Sequence, residues 1–261
     1  MSAETRPTPG PLAQTPPTVP VRTAAVIPAA GRGVRLGPGA PKALRALSGT
    51  PMLVHAVRAM ANSRAVSLVI VVAPPEGVAE VGALLSDYAL PERTDFRVVP
   101  GGETRQESVR LGLAALPEDV TTVLVHDAAR PLVPVDTVDA VVEAVRAGAP
   151  AVVPALPLAD TVKEVEPDPA GGPEPVVATP ARARLRAVQT PQGFDRAALV
   201  RAHETVPVDG EGATDDAGMC ETLGLPVVVV PGHAEAFKVT RPLDLVLAEA
   251  VLARRRANDG Y

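Results

Sequence analysis

Residues 24–35 read Ala24-Ala25-Val26-Ile27-Pro28-Ala29-Ala30-Gly31-Arg32-Gly33-Val34-Arg35, and Pro41-Lys42 follows shortly after. The apolar run Ala24–Ile27 predicts a buried strand, which stops at a proline and a turn of small residues. Backbone N–H groups in such a turn can approach an anion closely, while Arg32, Arg35 and Lys42 supply charge-matched donors around it. Two familiar phosphate motifs fail here on spacing. A dinucleotide fingerprint needs its third glycine at position 36, which is Leu36, with Gly37 one residue late. A Walker loop needs Gly before and Ser or Thr after its lysine, but Lys42 lies between Pro41 and Ala43. For this segment alone, a flexible glycine turn with solvated arginines stays open.

Beyond Thr23, strand-like runs alternate with helical patterns. The strands are expected at Ala24–Ile27, Leu68–Val72, Phe96–Val99, Val123–Val125, Ala151–Val153 and Val227–Val230, and helices at Met52–Met60, Gln106–Ala115, Thr137–Ala147 and Leu243–Arg254. Such alternation predicts an α/β fold, a mainly parallel sheet flanked by helices, with ligands bound beyond the carboxyl ends of the strands. Residues 1–21 carry six prolines and no apolar period, so a disordered tail is expected there, with a single domain over 22–261. The stretch 162–187 is crowded with Pro and Gly between the short strand-like pieces Val162–Val165 and Pro175–Ala178. It reads as a protruding hairpin arm, with an ordinary surface loop as the alternative.

Bulk properties narrow the function. The chain of 261 residues is 46% hydrophobic yet has three Phe, two Tyr and no Trp, so its core must be aliphatic. A net charge of −5 argues against a nucleic-acid footprint; a local cationic pocket in such a protein suits a small anion better. One cysteine, Cys220, leaves no partner for an intrachain disulfide and no multi-cysteine zinc site. No apolar stretch is long enough to span a membrane and no secretory h-region opens the chain, so a cytoplasmic protein is expected.

Two further segments fall where strands end. His126-Asp127-Ala128-Ala129-Arg130-Pro131 follows the fourth strand; an Asp there can bind Mg²⁺ together with phosphate oxygens, and Arg130 can clamp a phosphate. Read plainly, the pair caps a helix starting near Val135. His126, His55, His203 and His233 have no second ligand at metal spacing, so His126 is expected to be a structural neighbour. Gly101-Gly102-Glu103-Thr104-Arg105-Gln106-Glu107-Ser108-Val109 joins the third strand to a helix, as a helix start or as a pocket wall for a nucleobase and ribose. Asp160–Lys163, Gln189–Phe194, Ala213–Ala217 and Phe237–Pro242 are individually weak signals, and Thr214 or Asp215 reads equally as a cap.

In order, P-A-A-G-x-G-x-R, P-K, G-G-x-x-R-x-x-S-V, H-D-A-A-R-P, D-T-V-K, Q-T-P-Q, T-D-D-A and K-V-T-R-P resemble the 2-C-methyl-D-erythritol 4-phosphate cytidylyltransferases of the non-mevalonate isoprenoid pathway, from about Thr23 to Leu252. Ala43 after Pro41-Lys42, where that family often has Gln, is a departure. The resemblance implies a Rossmann-like nucleotidyltransferase that joins CTP to the polyol phosphate, releasing pyrophosphate with Mg²⁺. It implies Arg35, Lys42 and Lys238 as catalytic charges, and a cytidine pocket of Ala29, Ala30, Gly31, Gly102, Arg105 and Ser108. It also implies Asp127 as ligand to metal and substrate, and Arg130, Thr161, Arg182, Thr190 and Thr214 around the polyol phosphate. The family's homodimer, with arms exchanged, would carry Thr161 and Arg182 into the neighbour's site. A ribitol 5-phosphate cytidylyltransferase shares most of these motifs, and a catalytically silent nucleotide sensor is the rival of another class. Nucleic acid and membrane are not expected partners.

Overall fold

The computed structural model describes residues 22–31, 42–207 and 215–259. The expected tail over 1–21, Arg35 and Thr214 lie outside them. In chain order the strands are β1 (Arg22–Pro28), β2 (Ala46–Leu47), β3 (Thr50–Pro51), β4 (Val66–Ala73), β5 (Asp95–Pro100), β6 (Val120–Val125), β7 (Ala151–Pro157), β8 (Glu164–Val165), β9 (Val176–Ala178), β10 (Arg186–Val188), β11 (Gln192–Asp195) and β12 (Val227–Pro231). The helices are α1 (Met52–Asn62), α2 (Val78–Ser86), α3 (Arg105–Ala114), α4 (Val135–Arg146), α5 (Arg196–Thr205), α6 (Asp216–Thr222) and α7 (Pro242–Asp259). All six strands and all four helices expected from the sequence form.

The main sheet runs β5-β4-β1-β6-β11-β7, with β12 on the far side of β7 and β10 continuing alongside it. The pairs β1–β4, β1–β6, β4–β5 and β7–β12 are parallel, whereas β11 enters antiparallel between β6 and β7. Successive residues of a strand face opposite sides, and both sides are covered. Ala25, Ile27, Val69 and Val71 pack beneath α1 and α4 with Leu53, Val57, Val138 and Val141. Ala24, Val26, Leu68, Ile70 and Val72 pack beneath α3, α5 and α6 with Val109, Leu113, Leu199 and Met219. Burial on both faces explains why these strands read as continuous apolar runs. Phe194 is the large aromatic of this otherwise aliphatic cluster, to which the buried Cys220 also belongs.

The stretch 162–187 holds β8 and β9, an antiparallel hairpin whose tip is tied by Asp168, its carboxylate accepting from the Ala170 and Gly172 N–H groups at 2.9 Å each. Val176 and Val177 on it are more than half exposed. A third cluster of Leu47, Met52, Leu132, Val239, Ala248 and Val251 packs α7 against the segments on either side of Leu132 and Val239. That packing matters because both segments carry site residues.

Candidate active site

Four parallel strands deliver their carboxyl ends to one edge, and the ladders continue briefly beyond the strands. Ala29 N–H donates to Val72 O at 2.8 Å, Gly101 N–H to Ala73 O at 2.7 Å and His126 N–H to Val26 O at 2.9 Å. The three loops are thereby held side by side. With the Lys238–Thr240 segment they enclose a cleft of about 260 Å³ whose lining includes Ala29, Ala30, Gly31, Gly102, Arg105, Ser108, Asp127 and Lys238.

The Gly101–Ser108 wall is shaped by small parts. Thr104 caps α3, its hydroxyl accepting from Glu107 N–H at 3.0 Å, while Glu107 reaches back to Glu103 N–H at 2.8 Å. The segment is therefore a helix start and a cleft wall at once. Gly102 N–H donates to the Ser108 hydroxyl at 3.2 Å. A Cβ on Gly102 would fall 2.2 Å from the Glu107 carboxyl carbon, so a larger residue there would push the Glu107 side chain out of its bond to the Glu103 N–H.

Asp127 is the electrostatic centre. Lys238 Nζ lies 2.8 Å from Oδ2, Arg105 Nε 3.6 Å from Oδ1 and Arg130 Nε 3.9 Å from Oδ2. Burial alone would raise its pKa, but the Arg105, Lys238 and Arg130 charges outweigh that and hold it at about 2. The carboxylate is thus ionised throughout the physiological range. It faces the cleft and does not cap α4, whose N-cap is Pro134 without a side-chain bond. An ionised carboxylate ringed by cations beside a glycine turn can hold a hard cation and a polyphosphate together.

Behind the cleft lies a group that no local spacing announces. Asp216, wholly buried at the start of α6, accepts from Arg105 Nη1 at 2.7 Å and faces His203 Nε2 at 3.0 Å. Burial opposes its charge, but the His203 bond and Arg105 lower its pKa all the same. Arg105 is braced in turn, its charge favoured by Asp216 and Asp127 against the cost of burial. Asp215 is the α6 cap, accepting from Gly218 N–H at 2.8 Å.

Other expected site residues sit differently. The Arg130 guanidinium donates to Ala236 O at 2.7 Å and Val188 O at 3.2 Å, so it staples the Lys238 segment and β10 to the Asp127 turn. Val239 N–H donates to Ala129 O at 2.8 Å and adds a second staple. Glu235 ties the same segment to α7 through Arg254 and Arg255. Thr190 is buried, 3.0 Å from both Asp127 N and His126 Nδ1. Thr161 and Arg182 are exposed in and beside the arm, and Arg182 donates to Ala159 O, so they do not line this cleft within one chain. Lys42 opens a short 3₁₀ turn, Lys42–Leu44, that brings Ala43 to the cleft wall.

Comparison with known proteins agrees with this geometry. The sequence profile of the family described as IspD: 2-C-methyl-D-erythritol 4-phosphate cytidylyltransferase matches residues 23–254. The chain is 82% identical over 243 residues to the 2-C-methyl-D-erythritol 4-phosphate cytidylyltransferase of Streptomyces coelicolor, covering 93% of this chain and 89% of that one. Its fold is similar to the 4-diphosphocytidyl-2C-methyl-D-erythritol synthase of Anaerococcus prevotii, with a TM-score of 0.75 at 27% identity over 89% of this chain and 99% of the other. It is also similar to the Thermus thermophilus 2-C-methyl-D-erythritol 4-phosphate cytidylyltransferase, with a TM-score of 0.68 at 37% identity over 88% and 98%.

Proposed function

We propose, since the chain belongs to the 2-C-methyl-D-erythritol 4-phosphate cytidylyltransferase family, that it transfers the cytidylyl group of CTP to 2-C-methyl-D-erythritol 4-phosphate. The products are 4-diphosphocytidyl-2-C-methyl-D-erythritol, an isoprenoid precursor, and pyrophosphate. The observation that carries this reading within the site is the convergence of Lys238, Arg105 and Asp127 beside Gly31 and Gly102 in one cleft.

The substrate phosphate attacks the α-phosphorus of CTP in line with the departing pyrophosphate. A phosphate oxygen is already anionic at neutral pH, so the enzyme needs no general base; its work is orientation and charge stabilisation. Ala29, Ala30, Gly31, Gly102 and Ser108 form the narrow wall suited to the cytidine. Lys238, one of the cleft's cations, exchanges Asp127 for the α-phosphate as charge develops, while Arg105 stays braced by Asp216. Arg35 and Lys42 are assigned to the triphosphate on the sequence resemblance alone. Asp127 would hold Mg²⁺ jointly with nucleotide phosphates, which suits an ion that takes one or two carboxylates and fills its shell with phosphate oxygens and water. Bound there, the ion would neutralise triphosphate charge.

The methylerythritol phosphate is assigned to the Asp127 side, near Arg130 and Thr190, with Thr214 added on the sequence resemblance alone. The exposed arm supports a homodimer in which Thr161 of the partner subunit and Arg182 of the partner subunit complete the site. Among the described residues no helix is long and apolar enough to cross a membrane, and a CTP-dependent reaction supports a cytoplasmic setting. The test is tracer chemistry with α-³²P-labelled CTP, Mg²⁺ and methylerythritol phosphate. Label should enter the diphosphocytidyl product with one pyrophosphate released per transfer. Unconsumed CTP, or label released as free CMP, contradicts the reading.

A further inference from the structure

His126 takes no part in the reaction just described, yet it is fully buried and lies next to Asp127. Its ring has a definite partner on each nitrogen. Nε2 is 3.1 Å from the carbonyl oxygen of Arg130, and Nδ1 is 3.0 Å from the Thr190 hydroxyl. A carbonyl only accepts, so Nε2 must carry the hydrogen. In the neutral ring Nδ1 is then bare and can only accept, which draws the Thr190 hydroxyl hydrogen to it. The same hydroxyl oxygen receives the Asp127 N–H at 3.0 Å. Reversing the tautomer would leave Nε2 and the Arg130 carbonyl as two acceptors face to face. The Arg130 carbonyl therefore fixes the direction of two of these bonds, and the third, from the Asp127 N–H, can run only one way.

We infer that His126 is a positioning residue for cytidylyl transfer: through Thr190 and the Arg130 carbonyl it locks the 126–130 turn, and with it the placement of the Asp127 carboxylate and the Arg130 guanidinium. This rests on the function proposed above. The ring joins the end of β6 to the segment entering β11, two pieces far apart in sequence. It does so through hydrogen bonds in a dry interior, where a misdirected partner is costly. One consequence concerns Thr190. Its only hydrogen is committed to His126 and one lone pair to Asp127, so any ligand group that reaches it must donate.

Two measurements on the full-length protein test this. The first is the ¹⁵N–¹H spectrum of the His126 ring, which depends on no substrate. It should show hydrogen on Nε2 and a bare Nδ1 whose resonance moves in Thr190→Val. Hydrogen on Nδ1 would overturn the inference even in an active enzyme. The second is a double-mutant cycle. His126→Gln retains an amide donor toward the Arg130 carbonyl but removes the Nδ1 acceptor, and Thr190→Val removes the hydroxyl. Each should lower kcat about tenfold or more with CTP affinity held within twofold, and the double variant should fall no more than about threefold below the worse single one. Effects that multiply, or equal losses in kcat and CTP affinity, would mean that His126 does not act through Thr190. Absence of cytidylyl transfer in the parent protein would refute the proposed function instead, leaving the spectrum to judge the inference.

Discussion

Replacing Asp216 by Ala should weaken both the fold and the site. The carboxylate accepts two bonds, from Arg105 Nη1 at 2.7 Å and from His203 Nε2 at 3.0 Å. The His203 ring is 1% exposed, so its orphaned N–H should cost about 1–3 kcal/mol. The Arg105 side chain is 36% exposed and can recover some hydration, which discounts its share to about 1 kcal/mol. The sum, about 2–4 kcal/mol, corresponds to a fall in melting temperature of roughly 5–10 °C for a chain of this size. Thermal unfolding followed by far-UV circular dichroism measures it directly. Activity at a temperature well below the melt should also drop, because Arg105 loses the brace that aims it at Asp127. A melting shift under about 1 °C would refute this, since an orphaned His203 N–H in a dry interior cannot be free of cost.

Three further outcomes are expected. Lys238→Ala should lower kcat by about a hundredfold, the loss typical of one electrostatic stabiliser; a rise in KM alone would reduce Lys238 to ground-state binding. His126 has its pKa pulled from 6.5 to about 4, by burial first, so the unfolded chain takes up the proton earlier as pH falls. Folding stability should decline from pH 6.5 to pH 4, by about 3 kcal/mol over the window, and urea midpoints of His126→Asn should lack that slope. Arg182→Ala and Lys238→Ala, each nearly inactive alone, should recover activity when mixed under conditions of proven subunit exchange, because one heterodimer site would have both side chains intact; no recovery would mean that each chain builds its site unaided.

The sequence announces this sheet because its central strands are buried on both faces, which leaves valine-rich runs no other reading. β11 escapes that logic. Gln192-Gly193-Phe194-Asp195 has no β-branched residue, and it is a strand because β6 and β7 clamp it while Gln192 bonds Asp215. The cleft residues around Gly31, Gly102 and Asp127 were legible because each follows a strand on the same edge. The Arg105–Asp216–His203 group was not, since its members come from three helices with no fixed spacing between them. Arg130 shows a subtler limit. Its motif marks it as a phosphate clamp, whereas its two Nη groups spend their bonds on main-chain carbonyls that hold the Lys238 segment.

Whether this cleft joins methylerythritol phosphate to CTP is read from pyrophosphate release with two acceptors compared side by side. With CTP and Mg²⁺ fixed, kcat/KM for 2-C-methyl-D-erythritol 4-phosphate should far exceed that for ribitol 5-phosphate. Equal rates, or a preference for ribitol 5-phosphate, would contradict the account.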